Sequence, residues 1–237
     1  IDADPSVVPM IINDRTMIPL RFVAESLGID VGYDQATKMI TLQAPSARWS
    51  ISTFNMEGNV GSHPSIAVDA NERIHICHID VTRGVLLYTT DVSGSWITWT
   101  VGNAGDRATG IAVDANGKSH MVYEGPNGDL NYATNAISDA GLIHVVEAGA
   151  WSGLFGDQDI ALDTNGSPHI SYFRGTSFDL KYATNSSGAW STSIVINGTT
   201  PGPQPAYSAS IGLDSNNRAH ISYYDDTHDD LCYASYD

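Results

Sequence analysis

Basic residues are scarce in this chain: 11 Lys and Arg stand against 27 Asp and Glu, a formal charge of −16 over 237 residues. A field of that sign repels polyanions, which argues against nucleic acid and anionic membrane surfaces as partners. No apolar run approaches the roughly 18 to 20 residues of a membrane-spanning helix, so no membrane insertion is expected. Cysteine is nearly absent. Cys77 and Cys232 lie 155 positions apart with no Cys or His nearby at zinc-ligand spacing. That excludes a dense disulfide framework, a structural zinc site and a thiol redox motif. The two sulfurs either bridge the first and last repeats or, on the simpler reading, stay as buried thiols. Ile1 is not followed by the basic and apolar regions of a signal peptide, so any such leader is expected to have been removed or never included.

What is present is globular: 42% hydrophobic and 16% charged residues. Val7-Val8-Pro9-Met10-Ile11-Ile12 passes through Asn13-Asp14-Arg15 into Thr16-Met17-Ile18, two apolar runs around a polar turn, as in a hairpin. Pro19 suits a first helical turn, Leu20, Val23, Ala24 and Leu27 share one helical face, and Gly28 suits the stop. Ile29 to Tyr33 and Lys38 to Leu42 flank Asp34-Gln35-Ala36-Thr37 as a second hairpin. The order is ββαββ.

This stretch, VPMIINDRTMIPLRFVAESLGIDVGYDQATKMITL, resembles the copper amine oxidase N-terminal-like domain, most specifically in Asn13-Asp14-Arg15-Thr16, Ile18-Pro19-Leu20-Arg21 and Ala24-Glu25-Ser26-Leu27-Gly28. The resemblance covers roughly residues 7 to 42 and implies a stalk module of extracellular bacterial proteins. Neither copper nor oxidase activity carries over, because these residues offer no His-x-His pair and no tyrosine-derived cofactor. The expected division is a module at 1–44 and a repeat domain at 45–237, with no cofactor.

From residue 63 onward a pattern returns four times: SIAVDANERIHICH, GIAVDANGKSHMVY, DIALDTNGSPHISY and SIGLDSNNRAHISY. Its anchors Asp69, Asp114, Asp163 and Asp214 are spaced by 45, 49 and 51 residues, the length of a β-propeller blade. Each unit reads as a tight hairpin, strands a and b, turning at Asp-x-Asn-Gly or a variant. A third strand follows at Val85–Tyr88, Leu130–Tyr132, Leu180–Tyr182 and Leu231–Tyr233. A fourth is expected at Trp96–Val101, Leu142–Val146 and Trp190–Val195. The last unit has none downstream. Ala47-Arg48-Trp49-Ser50-Ile51-Ser52 resembles Ala189-Trp190-Ser191-Thr192-Ser193, so the expected fold is a mainly β, four-bladed β-propeller closed by pairing its N- and C-terminal strands. Closure within the chain predicts a monomer; a fragment of a larger ring is the alternative. Small residues at Ala67, Ala112, Ala161 and Gly212 leave room for a neighbouring sheet.

His75, His120, His169 and His220 each follow the anchor Asp by six residues. A side chain repeated once per blade is first expected to hold its blade together, through the turn Asp or backbone, before any metal role. The Asp-x-Asn-Gly stretches lack the further oxygen donors of a calcium loop and read as turns. They also differ in residue order from the sialidase Asp-box, Ser-x-Asp-x-Gly-x-x-Trp. A sialidase-like site needs clustered arginines, and no Ser-His-Asp arrangement with a nucleophile elbow is present. Variation falls in the b–c loops, where aromatic rings beside polar groups suit sugar recognition: Phe173 and Arg174, Tyr224 and Asp225. The reading is a secreted or cell-surface, non-catalytic binding or scaffold propeller, with glycans or another cell-surface polymer as partner. The alternatives are a carbohydrate-active hydrolase or lyase, since acids are plentiful, and a structural assembly unit.

Overall fold

Short alternating apolar segments around polar turns fold as antiparallel hairpins throughout a computed structural model that describes residues 10–12, 15–17, 23–24, 29–43, 49–54, 57–134, 143–150, 158–175, 177–198 and 205–236. The chain divides into two compact units, Ile1–Asn55 and Met56–Asp237.

In the first unit β1 (Met10–Ile12) pairs with β2 (Arg15–Met17), and β3 (Asp30–Asp34) with β4 (Met39–Gln43). Val23 and Ala24 are helical, and Ile29 N donates to Ala24 O at 2.8 Å, a bond of the kind that ends a helix. The rest of the helix expected from Pro19 to Gly28 lies outside the described residues. The second hairpin turns on Asp34, whose Oδ1 accepts the backbone N–H groups of Ala36 and Thr37.

Residues 49–54 carry no strand, which corrects the closing strand expected through Trp49. Trp49 is 96% and Ile51 90% exposed, so the apolar face that alternation builds there buries nothing and a strand gains no packing energy.

Among the described residues the second unit holds four antiparallel sheets. The first contains β5 (Val60–Val68), β6 (Ile74–Asp80), β7 (Val85–Thr90) and β8 (Ile97–Asn103). The second contains β9 (Thr109–Val113), β10 (Ser119–Glu124), β11 (Leu130–Thr134) and β12 (His144–Glu147). The third contains β13 (Gln158–Leu162), β14 (Pro168–Arg174), β15 (Asp179–Thr184) and β16 (Ser191–Ile196). The fourth has three strands, β17 (Pro205–Leu213), β18 (Ala219–Asp225) and β19 (Asp230–Ser235). In each sheet the strands neighbour one another in chain order, and the leading strands β5, β9, β13 and β17 pack in series.

The repeated aspartates build the hairpin turns. Asp69 Oδ1 accepts the N–H groups of Asn71 and Arg73, and Asp114, Asp163 and Asp214 repeat the pair of bonds with the residues two and four ahead. The residue three ahead has φ between 62° and 78°: Glu72, Gly117, Gly166 and Asn217. Glycine and asparagine accept that region; glutamate is strained there.

The repeated histidines bind a partner on the third strand. Nδ1 of His75, His120, His169 and His220 lies 2.5–2.6 Å from the hydroxyl of Tyr88, Tyr132, Tyr182 and Tyr233. Nε2 of each ring faces Oδ2 of its own anchor Asp at 3.6–3.7 Å, too long for a hydrogen bond but close enough for attraction. The carboxylate favours the Nε2–H tautomer, which leaves Nδ1 to accept from the tyrosine.

Adjacent sheets bury apolar faces against each other. Leu86, Tyr88, Ile111 and Met121 join the first two sheets, Leu130, Tyr132, Ile160 and Tyr172 the next pair, and Leu180, Tyr182, Ile211 and Tyr223 the last. Polar clamps pin the leading strands: Thr109 Oγ1 donates to His63 O at 2.6 Å, Gln158 Nε2 to Ala108 O at 2.5 Å, and Asp159 accepts Ser210 Oγ and Ile211 N at 2.6 and 3.0 Å. Ala67, Ala112 and Ala161 pack within these interfaces, whereas a Cβ at Gly212 would meet nothing within 4 Å. Cys77 and Cys232 are free thiols.

The turns and histidines make the fold acid-sensitive. The N–H groups of Arg73 and Arg218 hold the Asp69 and Asp214 carboxyls below their usual range, Asp214 at about 2. Burial pushes Asp114 and Asp163 up, but their backbone donors outweigh it and the net shift is down. Burial lowers His120 and His169. In both classes the unfolded chain binds more protons, so stability is present above the unfolded pKa and is lost as pH falls through the folded one. The urea midpoint should fall first below about pH 6.5 and again below about pH 3.8. A midpoint unchanged between pH 7 and pH 5 would contradict the histidine contribution. Glu72→Gly should raise the thermal midpoint by roughly 2 to 4 °C, from about 1 kcal/mol of relieved backbone strain.

Candidate functional site

At the end of each sheet opposite the Asp turns, strand b finishes with Asp80, Glu124, Arg174 or Asp225. Two of these serve their own loops. Asp80 is fully buried and accepts Arg83 N at 3.0 Å together with the Arg83 guanidinium. Asp225, 2% exposed, accepts Thr227 N at 2.9 Å and meets His228 Nδ1 at 2.8 Å. Beside it the exposed Tyr224 donates its hydroxyl to Asp229 Oδ1 at 2.6 Å, and that carboxylate leads in pushing the phenol up to about 12.

Glu124 and Arg174 instead turn toward the neighbouring sheet. Between the second and third sheets, Glu147 at the end of β12 receives Lys181 Nζ at 2.6 Å on both oxygens and the Tyr172 hydroxyl. Arg174 Nη1 lies 3.5 Å from the same carboxylate. Lys181 also sits 5.8 Å over the Tyr172 ring, a cation–π contact. Burial, then the Glu147 carboxylate, pushes the Tyr172 phenol well above its ordinary range. The side chains of Lys181 and Glu147 are 8% and 14% exposed, while that of Arg174 keeps 36%. Arg174 is therefore held from below and presented to solvent. Phe173, next to it, turns the other way into the core, 3% exposed and edge-on to Phe178 at 6.1 Å.

Between the first and second sheets, Gly105 N donates to Glu124 O at 2.9 Å, and Arg107 Nε lies 3.8 Å from Glu124 Oε2. A Cβ at Gly105 would stand 2.6 Å from that oxygen, so glycine there admits the carboxylate. Oε2 is buried with no hydrogen-bond partner among the described residues. Burial pushes the carboxyl up, Arg107 opposes and Asp106 reinforces.

Between the third and fourth sheets the matching positions are apolar. Register places Gly102, Glu147 and Ile196 opposite Leu86, Leu130 and Leu180, while Tyr223 and Cys232 stand where Tyr172 and Lys181 do. Nearer the Asp-turn end of the same two sheets, a hollow of about 320 Å³ is lined by Tyr182, Ile194, Val195, Ile221 and Tyr236. The polar crevice is thus a departure from the repeated frame. Its residues Glu147, Tyr172 and Lys181 escaped sequence reasoning, although a lysine within a buried strand where the other sheets have Leu87, Asn131 and Cys232 was a legible signal. Among the described residues no group of three or more His, Cys, Asp or Glu could hold a metal ion.

Removing one member of this network strands the others. Glu147→Gln should cost about 3 kcal/mol in urea unfolding, because Lys181 stays buried without its counter-charge, whereas Glu147→Leu with Lys181→Met should cost far less. A double variant as unstable as the single one would refute that account.

The sheets have the β-propeller-like fold of solved lectins. The lectin BP39L from Burkholderia pseudomallei superposes with a TM-score of 0.57 at 14% identity, over 83% of this chain and 58% of its own. The Aleuria aurantia lectin, solved with Fucα1-6GlcNAc, gives 0.53 at 15% identity over 75% and 60%. AofleA of Arthrobotrys oligospora gives 0.54 at 10% identity over 83% and 60%. The chain spans about three fifths of the length of each, and at these identities the likeness is one of fold. No curated protein matches the chain. Residues 2–71 match the family described as copper amine oxidase N-terminal domain, reaching into β5, and the chain therefore carries a domain of that family alongside its β-propeller-like sheets.

Proposed function

We propose that the sheets are propeller blades that bind glycans without turning them over, and that the protein works outside the cell, secreted or at its surface. The observation that carries the reading is the crevice between the second and third sheets. Sugar hydroxyls both donate and accept, and the crevice supplies Arg174 as an exposed donor fixed against Glu147. Lys181 and Tyr172 hold Glu147 in place, so little side-chain freedom is lost on binding. The Glu124 and Arg107 crevice offers a second acceptor and donor pair of the same kind. The lectins of this fold make glycans the first ligand class to test, and the N-terminal module's resemblance to extracellular stalk domains supports the location.

The experiment is a glycan array that includes Fucα1-6GlcNAc and unfucosylated controls, with pull-down on cell-wall polymers. Binding is expected, and Arg174→Ala should weaken it at least about tenfold, the size of one charge-assisted hydrogen bond. A blank array and pull-down at high protein concentration would end the glycan reading. One observation favours a hydrolase or lyase instead: the Glu124 carboxyl is raised by burial with Asp106 nearby, the environment of a general acid. Turnover of a polysaccharide panel that disappears in Glu124→Gln would replace binding with catalysis.

A further inference from the structure

We propose that the first two sheets hold a binding site for a neutral sugar at their Asp-turn end, opposite the crevices, gripping two neighbouring hydroxyls of one ring. The site shares no residue with the crevices and stands without them.

A hollow of about 480 Å³ lies between the two turns, within the size range of small-ligand sites. Its walls come from both sheets, Asn71 and Arg73 from the first turn and Asn116 and Gly117 from the second. The gap follows from two missing side chains. Between the third and fourth sheets the matching turns are tied together, Thr164 N donating to Asn217 Oδ1 at 3.1 Å and Asn217 Nδ2 to Thr164 Oγ1 at 3.0 Å. Ala70 and Gly117 occupy those positions in the first two sheets, and neither bond can form. A Cβ at Gly117 would stand 3.3 Å from Asp69 Oδ2, so glycine also leaves that oxygen uncrowded.

In the wall of the hollow an acceptor and a donor stand side by side. Asp69 Oδ1 is occupied by the N–H groups of Asn71 and Arg73, while Oδ2 has only the attraction of His75 Nε2 at 3.6 Å. The His75 ring is 0% exposed, and its Nδ1 already accepts from Tyr88. Its Nε2 is buried with no hydrogen-bond partner among the described residues, a costly state for a donor. One hydroxyl oxygen about 2.8 Å from each atom accepts from Nε2 and donates to Oδ2. A hydroxyl has that dual capacity, whereas an ionised carboxylate or phosphate oxygen only accepts.

The next hydroxyl on the ring meets Arg73 and the amides of Asn71 and Asn116. Arg73 is half-buried, and its guanidinium forms no ion pair among the described residues. Tyr88 and Val92 supply the apolar part of the wall, which suits the C–H face of a sugar. Arg73 and Asp69 balance in charge, so the hollow favours a neutral ligand over an anion.

The test titrates the full chain with D-glucose, D-galactose, D-mannose and L-fucose, read by ligand-observed NMR, with inorganic phosphate as the anionic control. A chain carrying Arg174→Ala is expected to bind at least one of the four. Adding Arg73→Ala, or Val92→Trp to fill the hollow, should weaken that binding at least about tenfold, the size of one charge-assisted hydrogen bond. Arg73→Ala should leave the urea midpoint as in the wild type, because the guanidinium holds nothing in the frame. Sugar binding that depends on Arg73 and not on Arg174 would support this site even if the crevice reading fails. An Arg174→Ala chain that binds none of the four sugars would overturn the proposal, and so would binding that survives both added substitutions. Phosphate binding lost in Arg73→Ala, with no sugar bound, would make the hollow an anion site and overturn it too.

Discussion

The contact between a histidine Nδ1 and a tyrosine hydroxyl, repeated in all four sheets at 2.5–2.6 Å, joins the second strand of each sheet to its third. The anchor Asp facing the other ring nitrogen connects that bond to the hairpin turn, so turn, second strand and third strand are fixed by one line of side chains. Most of this line is buried, where hydrogen bonds are strong and unpaired polar groups are expensive. Three of the four histidines are no more than 4% exposed. Their tyrosines do double duty, since the same rings form the surface on which the next sheet packs.

With each sheet fixed from within, the interfaces between sheets are free to differ. All three have apolar centres, but charged groups meet at the loop ends of the first, where Glu124 faces Arg107, and of the second, where Glu147 gathers Lys181, Tyr172 and Arg174. The third interface has Ile196, Tyr223 and Cys232 at those positions and is apolar there. Recognition chemistry is therefore local to particular crevices, on a frame that does not need it for folding. The same division explains the opposite behaviour of Arg174 and Asp225, which occupy equivalent strand ends. Arg174 faces a neighbouring sheet, and Asp225 closes its own loop.

Much of the frame was legible in the sequence because its signals are local. An Asp followed by a histidine at six residues marks a hairpin whose turn bonds span four residues, and alternation marks the strands. The tyrosine partners were harder to read, although they follow the histidines at 12 or 13 residues, because a loop of varying composition intervenes. The crevice was out of reach for a similar reason: Glu147 meets residues 25 and 34 positions away, and nothing local announces the meeting. Trp49 misled for the converse reason. A local match to the Trp190 strand says nothing about whether an edge is available to bury it, and Trp49 remains 96% exposed.

Cys77 is fully buried in the first interface, its Sγ 3.2 Å from Thr109 Oγ1 of the second sheet, and burial pushes its thiol up to about 12. A thiol so placed has almost no thiolate and no path to an oxidant or alkylating reagent while the sheets are together. Its chemistry is therefore gated by the separation of the first two sheets. Cys77 acts as a built-in clock for the opening of that interface, silent in the packed state and reactive only during the interval in which the sheets come apart.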